Sequence, residues 1–152
     1  MLKDTLNEDL KKAMLEKDNV AKVAIQMIKS AILLWEKDEK NIGKEVTDEV
    51  IIEIVSKELK KRRDSLVEIE KSGRDDLIAD LKREIELLLK YLPEQLSEDE
   101  LKKIVSDAVK ESGATTIKEM GKVMGLVTPK VKGRADNKAV SELIKGMLNA
   151  NN

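Results

Sequence analysis

Apolar residues recur along this chain three or four apart, the spacing of amphipathic helices. Leu2, Leu6, Leu10, Ala13 and Met14 share one face of a first helix, from Leu2 to about Lys17. Asp18-Asn19 offers a cap for a second helix, Val20 to about Lys37, whose stripe is Val20, Val23, Met27, Ala31 and Leu34. A polar connection containing Asn41 and Gly43 follows. Thr47 caps a long third helix, with Asp48 and Glu49 in the first turn where the helix dipole favours negative charge. Its apolar positions, Ile52, Val55, Leu59, Leu66 and Ile69, have heptad-like spacing. Ser72-Gly73 stops it, and a fourth helix from Asp75 or Asp76 carries Leu77, Ile78, Leu81, Ile85, Leu88 and Leu92. So short a turn folds the two long helices back as an antiparallel hairpin over residues 47–92. Antiparallel register then puts Arg62 or Arg63 within ion-pair reach of Glu84 or Glu86.

Tyr91-Leu92-Pro93 ends the hairpin, because the residue before proline is pushed out of the α region. Pro93-Glu94-Gln95-Leu96 is the expected boundary, giving an N-terminal helical domain over 1–96 and a C-terminal one over 97–152. Ser97 with Glu100 forms a capping box ahead of Leu101, Ile104, Val105, Ala108 and Val109. Gly113 closes that helix. Thr116 with Glu119 reads as a second box, opening a short helix with Met120, Val123, Met124 and Val127. A last helix from Asp136 buries Val140, Leu143, Ile144, Met147 and Leu148. The expected architecture is all-α: an N-terminal lobe with a long hairpin, then a three-helix lobe.

Composition changes the picture chiefly by removing chemistry. The chain has no cysteine and no histidine, which excludes thiol nucleophiles, disulfides, Ser–His and Cys–His catalysis and histidine–zinc sites. No catalytic residues, no metal and no cofactor are expected. Net charge is −1, but unevenly spread: residues 1–96 hold 19 Lys+Arg against 22 Asp+Glu, and residues 97–152 hold 10 against 8. The opening Met1-Leu2-Lys3-Asp4 is charged at once, and the longest apolar run, Ala31 to Trp35, is far short of a membrane span. The expectation is a cytoplasmic protein with no membrane association.

Three features could carry function. Lys60-Lys61-Arg62-Arg63 is the densest basic run, but it is helical and points around most of the circumference. Heptad spacing puts Arg62 on the seam, its head snorkelling outward. Gly121 and Gly125 sit four apart on one helix face, where each glycine costs about 1 kcal/mol relative to alanine. Close packing of a neighbouring helix is the expected reason, and close approach of an RNA backbone is the alternative. Lys130-Val131-Lys132-Gly133-Arg134-Ala135-Asp136 reads as a basic loop entering a helix N-terminus, a place that favours anions, although Asp136 as N-cap would occupy that end itself. From Lys118 to Lys138 there are six basic residues against Glu119 and Asp136. Trp35 and Tyr91 are expected to cap the first lobe's core and the lobe junction.

Several stretches together resemble the YqeY family, also called the GatB/YqeY-like proteins. They include Leu6-Asn7-Glu8-Asp9-Leu10-Lys11-Lys12-Ala13-Met14, Lys57 to Ser65, Gly73-Arg74-Asp75-Asp76-Leu77 and Tyr91-Leu92-Pro93-Glu94-Gln95-Leu96-Ser97. Met120-Gly121-Lys122-Val123-Met124-Gly125 and Pro129 to Asp136 complete the set. The C-terminal part also resembles the tail of the B subunit of the tRNA-dependent amidotransferase. The resemblance implies an all-helical fold and a tRNA-facing role. It does not carry over the carbon–nitrogen ligase activity with glutamine as amido donor, since that chemistry resides in an amidase subunit and a kinase-like body absent here.

The function expected is therefore a module that binds tRNA or another structured RNA, with Lys118, Lys122, Lys130, Lys132, Arg134 and Lys138 as phosphate contacts. Gly121, Gly125 and Gly133 are the close-approach glycines, and Lys60, Lys61, Arg62 and Arg63 form a secondary cluster. The competing class is a protein-docking adaptor for an amidotransferase, synthetase or ribosomal partner. Salt separates the two, because phosphate binding weakens steeply with ionic strength and apolar docking does not.

Overall fold

Helices form along the apolar stripes, some of them behind a capping side chain, and a computed structural model describes them for residues 1–150. Two compact units result, Met1–Leu92 and Pro93–Asn152. The first holds α1 (Leu2–Leu15), α2 (Asn19–Lys37), α3 (Asp48–Glu70) and α4 (Asp75–Leu89). The second holds α5 (Glu98–Ser112), α6 (Met120–Val131) and α7 (Asn137–Ala150). No strand occurs among the described residues, and none of their helices is long and apolar enough to cross a membrane.

In the first unit, Asp18 caps α2 by accepting from the Ala21 amide, and Thr47 caps α3 by accepting from Val50. Gly73, at φ +71°, turns the chain between α3 and α4. The core joins Leu6 of α1, Ile25, Ile28 and Ile32 of α2, Ile51, Val55 and Leu59 of α3 and Leu88 of α4, with Tyr91 just beyond. Trp35 is half-buried against this cluster. Tyr91 is buried in it, its hydroxyl donating to Asp9, and burial with that bond pushes its ionisation above the usual range.

The α2 stripe differs from the expected one. Ala21, Ala24, Ile25, Ile28 and Ile32 face inward, while Val23, Met27 and Leu34 lie on the exposed side. α2 is apolar nearly all round, so spacing alone cannot choose between its faces. The row chosen puts isoleucines in the core and alanines where neighbouring helices come close. Met14 of α1 is likewise exposed.

The hairpin register follows expectation. Arg62 of α3 lies 3.8 Å from Glu84 of α4, and its guanidinium bonds Glu58 at 2.9 Å on its own helix. Arg62 and Glu58 are both buried. A second tie holds α4 to the α1–α2 turn, where Arg83 grips both oxygens of Asp18. That arginine, with the Ala21 amide, holds the Asp18 carboxyl down at about 2.

The second unit packs Val105 and Ala108 of α5, Val123, Val127 and Val131 of α6, and Val140, Ile144 and Leu148 of α7. Ser97 and Glu100 exchange both bonds of the capping box at the start of α5. Gly113 ends α5 in the left-handed region, φ +69°. Residues 93–96, assigned from sequence to the first lobe, are bonded into this unit. The Leu96 amide donates to the Arg134 carbonyl at 2.9 Å and Gln95 donates to the Gly133 carbonyl at 2.8 Å. The Thr116 box does not form. Glu119 reaches back to the Thr115 amide at 3.4 Å, but Thr116 gives no reciprocal cap.

Candidate nucleic-acid interface

α6 presents Val123, Val127 and Val131 to the core, which turns the opposite side of the helix to solvent. At about 100° per residue, Gly121, Gly125 and Thr128 fall within roughly 60° of one another on that side. Both glycines are exposed, and a Cβ built on either would meet nothing within 4 Å. The expectation that a neighbouring helix packs against them is thus overturned. The core lies on the other side of α6, and these glycines open onto solvent.

The helix also runs further than expected. Pro129 does not end it, and α6 continues to Val131. A proline at this position has no N–H to offer the carbonyl four residues back, so the Gly125 carbonyl loses its intrahelical donor on the exposed side. The Thr128 hydroxyl meanwhile donates to the Met124 carbonyl at 2.7 Å. The exposed glycine face of α6 therefore carries a backbone carbonyl without its i+4 N–H donor.

The basic residues expected to line the site fall into two groups. Lys118, in the short 3-10 turn Ile117–Glu119, and Lys122 flank the glycine face, and both are exposed. Lys122 has only a 4.0 Å contact with Glu119. Such an exposed pair is worth little and leaves the ammonium available. Lys130 is exposed but sits about 180° around α6 from Gly121. Lys132 is exposed just past the helix end, and Lys138 is exposed in the first turn of α7.

Arg134 has a structural task in addition. Its Nε donates to the Glu94 carbonyl at 3.1 Å, and its own carbonyl accepts from Leu96, so it clamps the 93–96 segment onto the turn after α6. Gly133, at φ +74°, is required by the turn itself, where the amides of Arg134 and Ala135 both return to the Val131 carbonyl. Asp136 accepts from the Lys138 amide, occupying the start of α7 as expected of an N-cap. The basic loop is shorter than the sequence implied, because Lys130 and Val131 belong to α6.

In the first unit, the run Lys60-Lys61-Arg62-Arg63 does not act as one patch. Arg62 is committed to Glu58 and Glu84, and Lys61 lies 3.4 Å from Glu58. Lys60 is exposed and Arg63 is half-buried.

A helical hairpin unit and a three-helix unit, the latter exposing a lysine-flanked glycine face, define a class of small two-unit all-α proteins. The chain matches the Yqey-like protein family model over residues 3–148, and it belongs to that family. It is similar to the protein named "Altered inheritance of mitochondria protein 41, mitochondrial" in several fungi. Identity is 38% with that of Kluyveromyces lactis, over 57% of this chain and 45% of the relative. It is 33% with that of Saccharomyces cerevisiae, over 79% and 66%. It is 31% with that of Pyrenophora tritici-repentis, over 95% and 80%. The chain thus spans about half to two thirds of the first two relatives. Their names place those proteins in mitochondria, so the expected cytoplasmic location has no support from them.

Proposed function

We propose that this protein binds structured RNA, tRNA foremost, through the exposed face of α6 and the basic residues around it, and that it catalyses no reaction of its own. The observation carrying this reading is the pair Gly121 and Gly125, exposed on a helix with nothing packed against them. Each costs about 1 kcal/mol relative to alanine, and no neighbour inside the fold accounts for that cost. A partner backbone approaching α6 does account for it.

The chemistry around the glycines fits RNA. Lys118 and Lys122 supply cations for phosphates. The Gly125 carbonyl, deprived of its donor by Pro129, can accept from a ribose 2′-hydroxyl, the group that distinguishes RNA from DNA. A bare helix face suits recognition by shape and backbone, the usual mode for double-stranded RNA. The resemblance of the C-terminal part to the amidotransferase B-subunit tail favours tRNA as the particular ligand.

The test is binding of a labelled tRNA transcript by the full chain, followed by fluorescence anisotropy between about 50 and about 200 mM salt. Replacing Lys118 and Lys122 with Ala should lower the log–log salt slope by about one unit per lost phosphate contact. Replacing Gly121 and Gly125 with Ala should weaken binding while stabilising the fold by about 1 kcal/mol per site, since neither methyl meets an obstacle. Absence of tRNA binding at the lowest salt overturns the proposal, as does unchanged affinity in the double glycine variant.

A further inference from the structure

The first unit carries a second surface that the RNA reading does not use. Between α1 and α2 runs an open groove of about 580 Å³. Its floor is apolar, formed by Leu6, Leu10, Ile32 and Leu33. Leu33 is 51% exposed and continues the apolar floor out to solvent. Polar side chains bridge the groove from one helix to the other: Lys29 of α2 donates to Asn7 of α1 at 2.7 Å, and Lys3 of α1 lies 3.9 Å from Glu36 of α2.

We propose that this groove receives an amphipathic helix of a partner protein, one with apolar anchors on one face and acidic residues beside them. Two features of the groove select that occupant.

The first is length. From Lys3 to Leu10 the α1 wall spans seven residues, about 10 Å at 1.5 Å per residue. Anchors at i, i+3 or i+4, and i+7 of an incoming helix span the same distance, which is the usual pattern of helix-in-groove recognition.

The second is charge. Lys3 and Lys29 stand on the rim against the single carboxylate Glu36. Lys29 has only an amide for a partner and no carboxylate within 4.0 Å among the described residues. Lys22 lies seven residues before Lys29, on the same side of α2. The rim is net positive, so glutamate or aspartate flanking the anchors would be drawn to it and lysine repelled. The apolar floor between the lysines separates this surface from the glycine face of α6. Leu34, one residue further along and 72% exposed, points about 100° away from the groove and is outside the proposed contact.

The test selects from a displayed library of helix-forming peptides of about five turns against the full chain, then measures a fluorescein-labelled synthetic version of the enriched sequence by anisotropy. Enriched peptides should share aliphatic anchors at helical spacing with acidic neighbours. Leu33→Asp should weaken binding about tenfold or more, as expected for a central apolar anchor contact. Lys29→Glu, a surface change that spares the apolar floor, should weaken it about tenfold. Leu34→Asp should leave it within about twofold, and circular dichroism should show all three variants helical. Failure to enrich any sequence overturns the proposal. So does enrichment of basic or non-helical sequences, or affinity that survives both Leu33→Asp and Lys29→Glu.

Discussion

Replacing Arg62 with Ala tests how the long hairpin is held to its neighbours. The Arg62 side chain is 7% exposed and that of Glu58 is 10%, so the pair at 2.9 Å is taken out of water. The same guanidinium donates to the Glu58 carbonyl at 3.2 Å and to the Met27 sulfur at 3.2 Å, linking α3 to α2, while Glu84 adds the link to α4. Alanine leaves Glu58 buried with only the exposed Lys61, 3.4 Å away, for company. Removing one partner of a buried pair costs about 3–5 kcal/mol. Against a total stability of about 5–15 kcal/mol for a domain, that is a large loss. Urea unfolding followed by far-ultraviolet circular dichroism measures it, and an unchanged slope would confirm that the folded state alone has been altered. A second variant checks the reasoning. Glu58→Leu with Arg62→Met removes both charges, and such replacements are often neutral or stabilising by about 1–4 kcal/mol. Glu84, 23% exposed at its side chain, can hydrate once the arginine is gone. If Arg62→Ala costs less than about 1 kcal/mol, or if the double variant costs as much as the single one, the cluster is not the buried electrostatic tie described here.

Two other perturbations follow from the fold. Asp18 is held at about 2 by Arg83 and the Ala21 amide, below its ordinary value of 3.8. A depressed carboxylate contributes stability that is present above its unfolded pKa and lost as pH falls through its folded one. Asp18→Asn should therefore flatten the stability–pH curve between about pH 4 and pH 2, and chemical unfolding across that window would reveal an unchanged acid limb if the tie were unimportant. The second perturbation concerns the bonds from Leu96, Gln95 and Arg134 across the turn after α6. A fragment from Pro93 to Asn152 should fold alone as a helical unit with a higher melting temperature than one beginning at Ser97; equal melting would show that residues 93–96 add nothing, and an unfolded fragment would show that the second unit depends on the first.

Much of this was legible in the sequence because caps and stripes agreed. Thr47 with Val55 and Leu59, and Ser97 with Glu100 ahead of Leu101 and Val105, name both the start of a helix and its buried face, although the core takes Ile51 where spacing pointed to Ile52. Legibility failed where one of the two signals was degenerate. In α2 apolar residues occupy both sides, so the stripe of Val23, Met27 and Leu34 was as plausible from spacing as the one the core uses. At α6 the last apolar position read from spacing was Val127 and the basic run from Lys130 read as a loop, so the boundary was misplaced. Tertiary packing of Val131 keeps the last turn helical at the cost of one hydrogen bond, and that moved Lys130 from loop to helix. The candidate interface was partly visible. Lys118, Lys122 and the two glycines were identifiable by type and spacing, but whether the glycines faced a neighbour or solvent depends on which side of α6 is buried. Arg134 looked like one more cation, because nothing local announces that it bonds a carbonyl forty residues earlier.

The glycines of the second unit fall into two kinds, those the backbone requires and those it does not. Gly113 and Gly133 have φ of +69° and +74°, a region where other residues are strained, so the turns themselves require them. Gly121 and Gly125 have ordinary helical backbone and open space around the missing side chain. For the first pair, substitution by alanine should destabilise; for the second it should stabilise. Stabilising Gly→Ala changes are commonly available in natural proteins, and they are costly only where function needs the original residue, so activity must be measured alongside stability. Pro129 adds a second departure from helix optimality, removing the donor that would cap the Gly125 carbonyl on the same exposed face. Two concessions of stability at one surface, flanked by Lys118 and Lys122, are what the proposed RNA ligand would account for, by coming close to the α6 backbone and donating a hydrogen bond to it.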